Sequence, residues 1–141
     1  MHDLPEGVGF RDLAERYAQA ADRNRPALLD TIMADDVVLE GPGFVMAGLA
    51  EVRGFPAMLA QRFRGTRHLV HNQVIEVDGD RATGETYCTA SHLLRESPQV
   101  LVWHLRYQDE FRHVQGAWRL ARRRIVLDWT ETRPVDLPEA P

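Results

Sequence analysis

Residues 66–94 read TRHLVHNQVIEVDGDRATGETYCTASHLL, and this stretch decides the fold. At its centre, Val77-Asp78-Gly79-Asp80 is a hairpin signal, because Asp-Gly readily takes the positive φ values that a tight turn needs. β-Formers flank it: Val70, Val74, Ile75 and Val77 before the turn, Thr83, Thr86, Tyr87 and Thr89 after it. His68 and His92 lie far from the turn, near the open ends and roughly level with each other. A hairpin that holds two imidazoles at one end reads as one wall of a pocket. Their facing depends on the loop. With Asp78-Gly79 as a two-residue loop, the pairing turns His68 and His92 to opposite faces. A three-residue loop, or a bulge in either strand, brings them together.

Before the hairpin the spacing is helical. Phe10, Leu13, Ala14, Tyr17 and Ala21 mark one face of a first helix, with Arg11, Asp12, Glu15, Arg16 and Gln19 largely on the other. Asp22 follows near its C-terminal end, where a carboxylate opposes the helix dipole. From position alone, a solvated Asp beside Arg23 and Arg25 is the plainer reading. Pro26 opens a short second helix ended by Ala34-Asp35-Asp36. Val37–Glu40 reads as a strand stopped by Gly41-Pro42-Gly43, and Phe44–Ala47 as its partner. A third helix spans Gly48–Arg64, with a kink or break expected near Phe55 from Gly54 and Pro56.

After the hairpin, Glu96-Ser97-Pro98 turns the chain into a long strand, Gln99–His113. Leu101, Trp103, Leu105, Tyr107, Asp109 and Phe111 share one face of it by alternation. Gln115-Gly116 leads into a last strand, Ala117–Trp129. Arg122-Arg123-Arg124 within it reads as a solvated or salt-bridged sheet face. Residues 1–9 and 131–141 read as flexible ends. Helices followed by long antiparallel strands predict one α+β domain over residues 1–141, its helices packed on one face of a curved sheet.

Composition excludes several chemistries. The chain has 141 residues, a 44% apolar fraction and a net charge of −4, which suits a soluble globular domain and not a phosphate-neutralising nucleic-acid binder. No run is long enough to span a membrane and no signal peptide is evident, so a cytoplasmic location is expected. All 17 basic side chains are arginine, which removes Schiff-base catalysis through lysine. Cys88 is the single cysteine, so neither an intrachain disulfide nor a multi-thiolate zinc site can form. The two serines, Ser91 and Ser97, lie in no nucleophile-elbow pattern. His68 and His71 have a metal-like spacing, but residues three apart on a strand point to opposite faces. No metal and no cofactor are expected.

Several motifs in order resemble a known family. These are Arg16-Tyr17 with Asp22, Ala34-Asp35-Asp36-Val37, Thr66-Arg67-His68 with Asn72, Asp78-Gly79-Asp80-Arg81-Ala82, Tyr107–Phe111, and Gly116-Ala117-Trp118-Arg119-Leu120. Together they resemble the SnoaL-like branch of the nuclear-transport-factor-2-like superfamily, over roughly Phe10 to Trp129. The resemblance implies a cone: a bent, mixed or antiparallel sheet wrapped round helices and enclosing an apolar pocket, often as a dimer or trimer. In scytalone dehydratase and hexachlorocyclohexane dehydrochlorinase, an Asp late in the first helix orients a sheet His that acts as base in an elimination. Asp22 and His68 match that pair in motif position, and His92 resembles the second pocket histidine of scytalone dehydratase. Tyr17 matches the oxyanion-hole tyrosine of ketosteroid isomerase by its spacing to Asp22. The isomerase's general-base Asp has no counterpart, since Gly41 stands there, unless Glu40 substitutes.

Imidazole chemistry fits this resemblance. A neutral imidazole can take and return a proton near neutral pH. A carboxylate on its other nitrogen fixes the tautomer and stabilises the imidazolium. Asp22, His68, His92 and Tyr17 are therefore the candidate catalytic residues, with His92 or Tyr17 as acid. Tyr107, Asp109, Trp103, Phe55 and Glu40 are the candidate substrate contacts. The leading expectation is a cofactor-independent dehydratase acting on an apolar cyclic, steroid-, aromatic- or polyketide-like molecule. Two alternatives stay open: an isomerase or cyclase using Asp109 or Glu40 as base, and a non-catalytic binding protein or dioxygenase β-type subunit. No nucleic-acid or membrane partner is expected. A homodimer or homotrimer through the outer sheet face is.

Overall fold

The hairpin forms as β3 (Gly65–Asp78) and β4 (Arg81–Leu93). Its two-residue loop is Gly79-Asp80, one residue later than the expected Asp78-Gly79, with Gly79 at φ +63°. A glycine at the first loop position is the arrangement that matches strand twist with positive φ there alone. The computed structural model describes residues 9–139; the expected flexible segment 1–9 therefore lies outside it except for Gly9, as do residues 140–141.

The remaining elements follow the chain. α1 is Phe10–Asp22, a 3-10 helix covers Pro26–Thr31, β1 is Met33–Gly41 and β2 is Phe44–Ala47. Two short helices come next, α2 (Leu49–Val52) and α3 (Phe55–Arg62), separated at Arg53-Gly54, where a single kinked helix was the alternative. β5 (Gln99–Val114) and β6 (Ala117–Pro134) complete the chain. Two expected boundaries are corrected. Ala34-Asp35-Asp36 belongs to β1, not to a helix end: Met33 and Ala34 are buried while Asp35 and Asp36 face water. β6 also runs five residues past Trp129, because the start of β5 needs a partner; Val100 pairs with Arg133 and Gln99 with Pro134.

The six strands form one sheet in the order β2-β1-β6-β5-β4-β3. Only β1 and β6 run parallel, and every other neighbouring pair is antiparallel. This is a curved mixed sheet with the helices on one face, hence α+β. The core lies on that concave face. Leu13, Tyr17, Ala20 and Ala21 of α1 pack there against Leu29, Ile32, Leu39, Val52, Cys88, Leu105, Tyr107, Phe111 and Leu120. The alternation read in β5 holds, with Leu105, Tyr107, Asp109 and Phe111 all buried.

Bulges interrupt the ladder, and they decide which side chains face the core. One extra residue sits in β3 between Val70 and Gln73, and two in β6, Ala121 between Leu120 and Arg122 and Asp128 between Leu127 and Trp129. Each reverses the facing of the strand beyond it.

Candidate functional site

Asp22 closes α1 with its carboxylate turned onto β3. Oδ1 accepts from the His68 ring at Nδ1 (2.7 Å) and from the Thr66 hydroxyl (3.0 Å). Oδ2 accepts from the His68 backbone N–H at 2.8 Å. The dipole penalty for a carboxylate at this helix end is about 0.3–1 kcal/mol. Hydrogen bonds to a charged acceptor contribute about 1.5–3 kcal/mol each. Three of them outweigh the penalty, so Asp22 turns inward instead of lying solvated beside Arg23 and Arg25. The His68 side chain is 8% exposed and that of Asp22 19%. With Nδ1–H donated to the carboxylate, neutral His68 presents a bare Nε2.

His92 stands on β4 with its ring centroid 6.2 Å from that of His68. The bulge in β3 makes this possible. Near the loop, Val77 pairs with Ala82 and Gln73 with Thr86; past the bulge, Val70 pairs with Cys88 and His68 with Ala90. His71 and Asn72 together oppose Tyr87, so His68 joins Ala90 and His92 on the concave face. His92 Nδ1 lies 3.0 Å from the Leu101 carbonyl oxygen, which can only accept, so the proton is on Nδ1 and Nε2 is again bare. Burial pushes the His92 pKa below its ordinary value; the Leu101 hydrogen bond opposes this, and the nearby His68 adds to it. Phe63 (4.7 Å between centroids) and Trp103 (5.7 Å) enclose the ring.

Further along the concave face lies a buried charge pair. Arg123 donates from Nε and Nη2 to the two carboxylate oxygens of Asp109, both at 2.8 Å. Its guanidinium lies 3.8 Å from the Tyr107 ring centroid and 4.4 Å from that of Tyr17. Burial works against the charge, and Asp109 more than offsets it, holding the Arg123 pKa above its usual value. Arg123 Nη1 is buried without a hydrogen-bond partner among the described residues. The run of three arginines reads in sequence as a solvated or salt-bridged face; Arg123 is salt-bridged, but 0% exposed. From Leu120, strict alternation would turn Arg122 inward; the β6 bulge at Ala121 substitutes Arg123. An arginine run opposite the only carboxylate on the apolar face of β5 was the available signal.

The comparisons with known proteins agree with this architecture. The SnoaL-like domain family matches residues 9–124. The chain belongs to that family. An uncharacterised protein of Mycobacterium tuberculosis is 23% identical over 124 residues, covering 86% of this chain and 84% of the relative. Among solved structures, a hexachlorocyclohexane dehydrochlorinase from Novosphingobium barchaimii superposes with a TM-score of 0.82 at 18% identity, covering 93% and 92% of the two chains. A candidate scytalone dehydratase from Novosphingobium aromaticivorans gives 0.75 at 23% identity, covering 92% and 87%. These likenesses establish the nuclear-transport-factor-2-like fold.

In this SnoaL-like protein the other expected site residues divide into two groups. Tyr17, Phe55, Trp103, Tyr107 and Asp109 reach the concave face. Tyr17 stacks on Phe55 at 5.2 Å and meets the edge of Tyr107 at 5.5 Å. Burial drives the Tyr17 and Tyr107 hydroxyls well above their ordinary pKa, against the lowering effect of the Arg123 charge. It pushes the Cys88 thiol up to about 11, against the lowering effect of the neighbouring Tyr107 hydroxyl. Glu40 does not reach the site. It sits on the convex face, hydrogen-bonded to Arg122, since alternation from buried Leu39 turns it outward. Among the described residues, no three His, Cys, Asp or Glu side chains are grouped to hold a metal, and no helix is long and apolar enough to cross a membrane.

Proposed function

We propose that this protein is a cofactor-independent lyase that removes water from a small, largely apolar carbonyl compound, with Asp22–His68 as the catalytic dyad. The observation that carries this reading is the 2.7 Å Asp22–His68 hydrogen bond with a second, tautomer-fixed imidazole, His92, beside it. His68 Nε2 takes the proton from the carbon next to the substrate carbonyl. The C–H electron pair is held as the enolate of that carbonyl, whose collapse forms the new C=C bond as the C–O bond to the β-hydroxyl breaks. The imidazolium then gives its proton to the departing oxygen, which leaves as water, and His68 is neutral again.

Asp22 stabilises the transient imidazolium, and Thr66 and the His68 backbone N–H hold the carboxylate in place. His92 suits a different task from the acid role open to it in sequence. With its pKa lowered and Nε2 bare, it accepts a hydrogen bond from the leaving hydroxyl and orients it. Phe55, Phe63 and Trp103 supply apolar surface for a cyclic or aromatic body. The isomerase reading is weaker, because both of its candidate bases, Asp109 and Glu40, are held by arginines.

The test uses a panel of cyclic β-hydroxy ketones in D2O, followed by NMR for deuterium entering the α-carbon and by ultraviolet absorbance for the conjugated product. The wild type is expected to do both. His68→Ala should lower both rates about 10²–10⁴-fold, the usual contribution of a general base. Equal rates in wild type and His68→Ala would place the base elsewhere. Ligand binding without exchange across the panel would favour the binding-protein reading.

A further inference from the structure

We propose that Arg11, on the first turn of α1, is a positioning residue for the dyad: it holds the β3 bulge that turns His68 towards Asp22 and His92. The kinetic part of this rests on the lyase reading; the structural part does not.

A bulge disrupts the ladder and leaves backbone groups in need of new partners. Here the Arg11 guanidinium supplies them. Nη1 donates to the His71 carbonyl at 2.6 Å and Nη2 to the Val70 carbonyl at 2.8 Å. The third nitrogen, Nε, donates to Glu15 at 3.1 Å. A planar fork of donors suits two successive carbonyls, and a lysine ammonium cannot reproduce it. The neighbouring residue adds a second tie: Gln73 Nε2 donates to the Phe10 carbonyl (3.4 Å) and to the Thr86 hydroxyl (3.0 Å). α1 thus grips β3 at two levels, with Arg11 and Phe10 at the bulge and Asp22 at Thr66 and His68. The first contact holds the extra residue in place. The second depends on that residue, because without it His68 would oppose Ser91 and face away from Asp22. The plainer role for Arg11 is its exposed pair with Glu15, which by itself contributes only about 0.3–0.5 kcal/mol.

The test compares Arg11→Ala, Arg11→Lys and, as a control, Glu15→Ala. Histidine-ring NMR of the ligand-free protein should find His68 entirely as the Nδ1–H tautomer in the wild type and in Glu15→Ala, with a slowly exchanging Nδ1 proton. Arg11→Ala and Arg11→Lys should remain cooperatively folded, lose that slow proton, show a mixture of tautomers, and exchange the backbone N–H groups of residues 70–74 faster. With a substrate in hand, kcat should fall about 10–100-fold at little changed KM, the cost of a displaced catalytic group. A wild-type His68 tautomer and proton protection in folded Arg11→Lys would overturn the proposal. So would global unfolding of both variants, which would make Arg11 a residue of general stability. An inactive wild type whose His68 signature still depended on Arg11 would sink the lyase reading and leave this one standing.

Discussion

His68 and His92 face each other on the concave side of the sheet, 6.2 Å between ring centroids, and each has its Nδ1 proton committed to a different kind of acceptor. His68 donates to a carboxylate and His92 to a backbone carbonyl. The difference matters chemically. A carboxylate gains interaction when the ring it holds becomes cationic, and a neutral carbonyl in a buried site compensates far less. Two imidazoles of one composition are thereby given different tasks: His68 is suited to carry a proton, and His92 to remain neutral and accept a hydrogen bond.

Asp22→Asn is expected to separate the two functions of the carboxylate. The amide oxygen still accepts from the ring but does not stabilise its charge, so kcat should fall about 10²-fold or more while substrate binding changes little. Stability should also fall, by about 1.5–3 kcal/mol, because the amide NH2 cannot accept from the His68 backbone N–H that Asp22 Oδ2 now serves. Steady-state kinetics beside urea unfolding checks both. Lost stability with full specific activity in the folded fraction would mark the dyad as structural.

His92 gives the fold a pH dependence of known sign. Its folded-state pKa is depressed by burial, so below the unfolded value of about 6.5 the unfolded chain takes up the proton more readily than the folded one. Stability should therefore be level above about pH 6.5 and decline as pH falls through the folded-state pKa. Urea midpoints measured from pH 8 to pH 5 should follow this course in the wild type. In His92→Gln the decline over the same window should be smaller. An identical decline in both would assign it to another group.

Much of the fold was legible because long strands announce themselves by alternation. The β5 run from Leu101 to Phe111 and the turn at Gly79 needed no tertiary information. The motif position of Asp22 and His68 anticipated the hydrogen bond between them. What sequence did not carry was the placement of single extra residues. Alternation is a parity signal, and one bulge inverts it for the rest of the strand. His71-Asn72 and Ala121 bear no mark that separates a bulge from an ordinary strand residue. For that reason the shared facing of His68 and His92 stayed undecided, and which of the three arginines turns inward was not legible. Likewise, Glu131 to Arg133 look like a polar tail because they carry no apolar alternation; only their pairing with Val100–Val102 of β5 makes them a strand.

The convex face is expected to pair with copies of the same chain. A groove of about 690 Å³ there is flanked by Glu76, Glu85 and Glu110 on one side and Arg122 and Arg124 on the other. Val74 and Trp129 are 69% and 60% exposed. Acidic and basic sides on one surface are complementary under two-fold rotation, which favours an isologous contact. Light scattering at micromolar concentration should report a homodimer or homotrimer, and Val74→Asp with Trp129→Asp should shift it to monomer. A monomeric wild type would remove this expectation.

The Asp109–Arg123 pair is expected to be costly to break and cheap to replace. Both side chains are essentially inaccessible, at 0% and 1% exposure, so removing either partner leaves a buried charge unpaired. Asp109→Leu or Arg123→Leu alone should cost about 3–5 kcal/mol, whereas the double replacement should come out near neutral or better. Urea unfolding of the four proteins gives the coupling directly. The same set tests function. If Asp109 were a general base, Asp109→Asn, which keeps the shape and some hydrogen bonding to Arg123, would abolish α-carbon deuterium exchange. With His68 as the base, the folded fraction of Asp109→Asn should exchange deuterium within about tenfold of wild type, below the contribution of a general base. A larger loss in a well-folded Asp109→Asn protein would move the base to Asp109 and restore the isomerase reading.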